Sequence, residues 1–191
     1  MFDYIDTATG GVMNRNHVMK ISDFKPTKDE NYISLFRFNK LYIDYFTQKK
    51  TVAGFKGVHY SDYLTFDVDN ESLDQAWIDT TWLCDLILIK TGYRINELYF
   101  SGAKGFHVEI PISLFKLPPS DNFCLLCKEL AKNISFNGKK YLCDLKIYEI
   151  NRLFRVNNTI NKKSGLYKIK LSWNEFDKKI PFIRELARDP R

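Results

Sequence analysis

The sequence predicts an α+β fold, and three observations carry that prediction. Runs of alternating aromatic and branched residues recur as strand candidates, as in Tyr32 to Phe38 and Tyr60 to Val68. Other stretches repeat their apolar residues at helical spacing. The two kinds follow one another without regular alternation, which favours α+β over a doubly wound parallel sheet. With 191 residues the chain has the size of one large domain, taken as residues 1–191.

Residues from Met13 to Asp29 are polar and mixed and read as an irregular arm. Tyr32 to Phe38 follows as a strand, and Tyr60 to Val68 as another. In the second, Leu64, Phe66 and Val68 share one face while Thr65, Asp67 and Asp69 share the other, because side chains alternate along a strand. Asn70-Glu71-Ser72 offers a helix start, and Leu73, Trp77, Leu83, Leu86 and Ile87 continue at helical spacing to Lys90, with Gly92 as the stop. Leu98 to Phe100 and Phe106 to Ile110 read as two strands joined by a glycine-containing turn. Pro118-Pro119-Ser120 breaks the chain before a helix over Asn122 to Asn133. Asn137-Gly138 marks a turn before a strand-like segment at Tyr141 to Tyr148. A loop at Asn157 to Gly165, a strand at Leu166 to Leu171 and a short helix complete the order.

Composition bounds the function. At 45% hydrophobic and 15% aromatic the chain supports a packed core, which excludes a disordered chain. A net charge of +6 suits a polyanionic partner. Met1 to Asp6 lacks the pattern of a signal peptide, and the longest apolar runs, such as Leu86 to Ile89, are too short to span a bilayer. The four cysteines are irregularly spaced, so reduced thiols in a cytoplasm, with no membrane partner, are expected. The charged end Ala187 to Arg191 reads as the edge of a core cut from a longer protein.

Three groups of residues carry chemistry. Asp67 and Asp69 stand two apart on a strand, so both carboxylates project from one face about 6 to 7 Å apart and can reach divalent metal; the competing reading is an exposed strand edge. Ser101-Gly102-Ala103-Lys104-Gly105-Phe106-His107 joins two glycines to a hydroxyl, a cation and an imidazole. Such a turn can cradle a triphosphate, or it can be a plain hairpin turn with a partly buried His107. Asp144 sits in an apolar segment where an unpaired carboxylate is costly, and Glu149 competes with it as a third acid. Arg152 and Arg155 follow, with the fork geometry that binds phosphate.

In this order the motifs resemble the archaeo-eukaryotic primase superfamily, which includes primase small subunits, PrimPol enzymes and the polymerase domains of end-joining ligases. The resemblance rests on Asp67 and Asp69, then Ser101 with His107, then Asp144, and it spans Leu64 to Lys168. It implies two lobes, an α/β N-terminal module and an RRM-like catalytic module. It implies that Asp67, Asp69 and Asp144 hold two Mg²⁺ or Mn²⁺ ions, and that Ser101, Gly102, Lys104, Gly105, His107, Arg152 and Arg155 grip the nucleotide, with Arg37 reaching nucleotide or template. Members of this family often carry a zinc knuckle. Cys124 and Cys127 have a suggestive spacing but lie in an apolar helical stretch, so buried thiols rather than zinc are expected.

The function so implied is a DNA-templated primase-polymerase that makes primers and extends them from NTPs or dNTPs with release of pyrophosphate. Its partners would be single-stranded DNA, a primer-template and accessory replication or repair proteins, in a prokaryotic cytoplasm, with mobile-element and CRISPR-associated members closest in size. Lys49, Lys50, Lys139, Lys140, Lys162 and Lys163 would track template phosphates. The alternatives are a gap-filling or end-joining polymerase of the same fold, a metal-dependent nuclease, and a noncatalytic single-strand-binding module that presents Tyr99 and Phe106 on an RRM-like sheet.

Overall fold

The computed structural model describes residues 1–191. Its elements run β1 (Tyr4–Thr9), β2 (His17–Lys20), β3 (Asn31–Ser34), β4 (Arg37–Phe38), α1 (Lys40–Lys49), β5 (His59–Tyr60), β6 (Tyr63–Asp69), α2 (Leu73–Thr91), β7 (Glu97–Phe100) and β8 (Gly105–Pro111). Then come α3 (Phe123–Ser135), β9 (Leu153–Arg155), β10 (Ile160–Asn161), β11 (Leu166–Tyr167), β12 (Ile169–Lys170), α4 (Trp173–Phe176) and α5 (Lys179–Leu186). Five helices and antiparallel sheets make this an α+β fold, as the mixed element order predicts.

Two sheets position the site. The first has the order β5-β4-β1-β3-β9, with β2 also paired to β1; the second has the order β12-β7-β8-β6. In the second sheet the alternation read from the sequence holds. Leu64, Phe66 and Val68 of β6 and Phe106, Val108 and Ile110 of β8 are buried on one face, which packs toward α2 and α3. The opposite face carries Thr65, Asp67, Asp69, His107 and Glu109. One apolar cluster runs from Phe38 and Tyr42 through Phe66 and Phe123 to Phe176 and Ile183, so the two sheets share a core. No helix is long and apolar enough to cross a membrane.

Helix α2 is bounded as the sequence indicates: Ser72 Oγ caps its start, and Gly92, with φ +70°, ends it in the left-handed conformation. Three segments differ from expectation. The arm over Met13 to Asp29 contains β2, held to β1 by its register with Tyr4 to Thr7. The single strand over Tyr32 to Phe38 is two, because Ser34 Oγ donates to the Phe36 carbonyl at 2.7 Å and turns the chain between them. The strand expected at Tyr141 to Tyr148 is not regular: Asp144 Oδ1 accepts from Lys146 N–H at 2.8 Å and caps a 3₁₀ turn over Leu145–Ile147.

Candidate active site

Asp67 faces His107 across the β6–β8 pair, and Asp69 faces Gly105. The third acid arrives by a different route. Strand β6 has no partner on its outer side, and there Asp144 N–H donates to the Asp67 carbonyl at 2.7 Å while Tyr148 Oη donates to the Thr65 carbonyl at 2.5 Å. These two bonds lay the 144–148 segment along the open edge and set Asp144 beside Asp67. Glu149, the competing acid, is exposed.

The turn between β7 and β8 is closed by Ser101 N–H donating to the Gly105 carbonyl at 3.0 Å. Ser101 Oγ accepts from the N–H groups of Ala103 and Gly105, at 3.3 and 3.2 Å. A Cβ on Gly105 would overlap the Val68 carbonyl, and one on Gly102, whose φ is +80°, would stand 2.9 Å from the Leu166 carbonyl. The two glycines therefore let backbone approach backbone at these two points. Lys104 is exposed at the tip, and its charge acts on Asp69.

Strand β9 lies over this polar face. The Phe154 ring sits 4.3 Å from the His107 ring. Together Tyr32, Asp67, Asp69, Ser101, His107, Arg152, Phe154, Arg155 and Asn161 are among the residues that line a cleft of about 170 Å³. Asp144 stands at its margin, with its charge acting on Asp67 and Asp69.

Burial sets the electrostatics. It raises the Asp67 carboxyl to about 7, with the charges of Asp69 and Asp144 adding to the rise and Arg152 and Lys168 opposing it. Asp69 is raised by burial too, against the pull of Lys104. Burial, followed by the charges of Lys168 and Arg155, holds His107 well below its ordinary value, so the ring is neutral. His107 Nε2 is 3.4 Å from Asp67 Oδ1, but the two are not aligned as a hydrogen bond. Asp67 Oδ1 and His107 Nδ1 are both buried without a partner. A buried carboxylate oxygen with no donor, next to two more acids, fits a hard divalent cation. The three acids do not already converge into a cage of three ligands; Asp67 and Asp69 face the cleft, while one Asp144 oxygen is held by Lys146 N–H.

The other candidate residues have structural partners of their own. Arg155 donates to Glu30 at 3.1 Å, to Tyr32 Oη at 2.6 Å and to the Ile160 carbonyl at 2.6 Å, so its guanidinium is committed to joining β9, β3 and β10. Arg37 pairs with Asp62 at 2.6 Å and lines a neighbouring cavity of about 240 Å³ with Thr65, Glu109 and Phe154, away from Asp67. Lys140 is bonded to Asp79, and Lys162 is paired with Asp29. Tyr99 and Phe106 are buried, which removes the stacking platform that a single-strand-binding module would need. Cys124 and Cys127 are buried on α3, where burial pushes the Cys127 thiol up to about 12 and the Cys124 N–H donates to His59 Nε2.

The sequence reading missed Lys168 and Phe154. Lys168 is buried, with Nζ 3.0 Å from the Arg155 carbonyl and stacked over Tyr99 and Phe154, and burial lowers it to about 8. Its signal was its alternation with Ile169 and Leu171, which places it on the same face as Lys170. Phe154 carried only the signal of an apolar residue between Arg152 and Arg155. No protein-family model matches the chain, and no curated protein is detectably similar to it.

Proposed function

We propose that this chain is a metal-dependent nucleotidyltransferase that builds nucleic acid on a template, of the primase-polymerase kind. One observation carries the reading: Asp67, with an unpartnered buried oxygen, shares one cleft with Asp69, Ser101, His107 and Arg152. A nuclease also needs clustered acids, but it has no need for a triphosphate grip such as Ser101 to His107, and tight nucleotide binding would argue against it.

Two divalent ions, Mg²⁺ or Mn²⁺, would be held by Asp67 and Asp69 with Asp144 at the margin, and when bound they supply charge neutralisation for attack on the α-phosphate and for the leaving pyrophosphate. The protein supplies position. Exposed Lys104 and the Arg152 guanidinium, whose charges both reach Asp69, would meet the negative charge of the nucleotide. Neutral His107 offers a ring N–H, and Phe154 fixes the ring's orientation by packing on it. The larger cavity past Phe154, with Thr65 and Glu109 on the next pair of the β6–β8 ladder, would take the sugar and base.

In fold terms we read the β6-containing sheet as the RRM-like module and the β1-containing sheet as the N-terminal module of a primase. The order β6-α2-β7-β8-α3 followed later by β12 supports this. One departure is that β6 is an edge strand here, whereas the first strand of an RRM is central. A cytoplasmic enzyme acting on single-stranded DNA and primer-template, with NTPs or dNTPs, follows from the same reading.

The test is synthesis on primer-free single-stranded circular DNA with labelled nucleotides and Mg²⁺ or Mn²⁺. Wild type is expected to give product, and Asp67→Ala/Asp69→Ala none, with an unchanged circular-dichroism spectrum. Product from the folded double variant would overturn the site. Extension of an annealed primer without any priming would move the reading to a gap-filling polymerase.

A further inference from the structure

Asp79 is the one carboxylate buried deep in α2, and neither the acidic pair nor the nucleotide grip uses it. Its side chain is 4% exposed. Oδ2 accepts from Asn70 Nδ2 at 3.1 Å and from Lys140 Nζ at 2.6 Å, and Oδ1 accepts from Gln75 Nε2 at 3.0 Å. Gln75 is one turn earlier on the same helix and holds the carboxylate in place. The other two donors come from elsewhere. Asn70 is the residue immediately after Asp69, where β6 ends. Lys140 closes the turn in which Asn137 Oδ1 accepts from Lys139 and Lys140 N–H, at 3.1 and 2.9 Å, four residues before Asp144.

Both acid-bearing segments are thus tied to one buried oxygen. Their other direct links are the bonds from Asp144 N–H to the Asp67 carbonyl and from Tyr148 Oη to the Thr65 carbonyl, both further along the segment than Asn137 to Lys140. A third attachment, between the end of β6 and the turn ahead of Asp144, defines the separation of the segments more closely, and the pair with Lys140 is a charge-assisted bond. The geometry points to Asp79 as a positioning residue that sets Asp144 against Asp67 and Asp69, with Asn70 and Lys140 as its two arms. The inference rests on the metal-dependent reading of the cleft. A residue that orients ligands from behind, without touching the ion, changes metal affinity or turnover by roughly 10- to 100-fold when it is lost.

The experiment compares wild type, Asp79→Asn and Lys140→Met in three readouts: Mn²⁺ binding followed by electron paramagnetic resonance, primer-extension kinetics, and amide hydrogen exchange of Asp144, whose N–H is bonded to the Asp67 carbonyl. Asp79→Asn is expected to weaken Mn²⁺ binding and lower kcat by about tenfold, with the nucleotide KM within twofold of wild type. Exchange at Asp144 should accelerate. Lys140→Met cuts one arm from an exposed site, so it keeps the test open if Asp79→Asn fails to fold; it should move all three readouts in the same direction by less. A merely structural role would lower the melting temperature and leave Mn²⁺ affinity and kcat of the folded protein unchanged, which overturns the proposal. If wild type neither binds Mn²⁺ nor extends primers, the metal-dependent reading falls. Exchange then still decides whether Asp79 ties the two segments, and unchanged exchange removes the clamp as well.

Discussion

At His59 a single neutral ring joins three parts of the chain. Nε2 accepts from the Cys124 N–H at the start of α3, and Nδ1 donates to the Gly57 carbonyl at 3.0 Å. Burial holds the ring below its ordinary value of 6.5, against small opposing effects of Gly57 and Asp121. The unfolded chain takes up this proton more readily than the folded one. The stability His59 contributes is therefore complete above about pH 6.5 and is lost as pH falls through the lowered folded value. His59→Gln, which keeps an acceptor but cannot titrate, is expected to flatten the fall in melting temperature between pH 7 and 5; an unchanged slope would remove His59 from the acid response. Gly105→Ala should cost about 3 kcal/mol by forcing β8 away from β6, measured by urea unfolding. Lys104→Ala should raise the nucleotide KM in primer extension and leave the melting temperature unchanged, since the side chain is exposed at the turn tip. Asp67 and Asp69 were legible because strand alternation alone puts them on the face opposite Leu64, Phe66 and Val68. Lys168 was not, since a lysine in sequence reads as surface until a partner shows that it is buried.

Strand β9 shows how an element's role differs from that of its residues. Arg155 has the right chemistry for phosphate, yet three acceptors on β3, β10 and the adjoining loop already hold it, and its pair with Glu30 is only 12% and 13% exposed. Arg155→Ala is expected to destabilise the fold by about 3 kcal/mol, as for a broken buried pair. Arg37→Ala, at an exposed pair, should cost at most about 1 kcal/mol. Equal melting temperatures for the two variants would refute this ranking. Helix α2, the β7–β8 hairpin and α3 were legible because Ser72, Gly92, Gly102 and Pro118-Pro119 punctuate long periodic stretches. The 141–148 segment was misread as a strand because its apolar run gives no sign that Asp144 turns back to cap Lys146. Strand β1 escaped notice because its buried Asp6 breaks the apolar pattern, and only tertiary partners, Arg15 Nη2 at 2.9 Å and Asn16 N–H at 2.9 Å, make that acid tolerable.

For the whole molecule, the proposed primase-polymerase reading, with a net charge of +6, predicts salt-sensitive binding to single-stranded DNA, with a log–log slope of about −0.7 for each phosphate neutralised. Fluorescence anisotropy from low to moderate salt should show that slope, and salt-independent binding would remove the electrostatic footprint. On that reading, the pairing of Lys140 and Lys162 with acids leaves fewer lysines for template phosphates than the sequence suggests. The order of elements was legible, but the packing of one sheet against the other was not, since it depends on contacts such as Phe154 on His107 between distant segments. The outer side of β6 has a further consequence. A strand that ends a sheet offers its unpaired groups to any other strand, and identical copies of a protein are the commonest source of one. Here the Asp144 amide and the Tyr148 hydroxyl occupy two of those groups, so the stretch that sets Asp144 beside Asp67 also shields the edge from self-association. Tyr148→Phe frees one of those carbonyls, that of Thr65, and is expected to aggregate faster than wild type on heating.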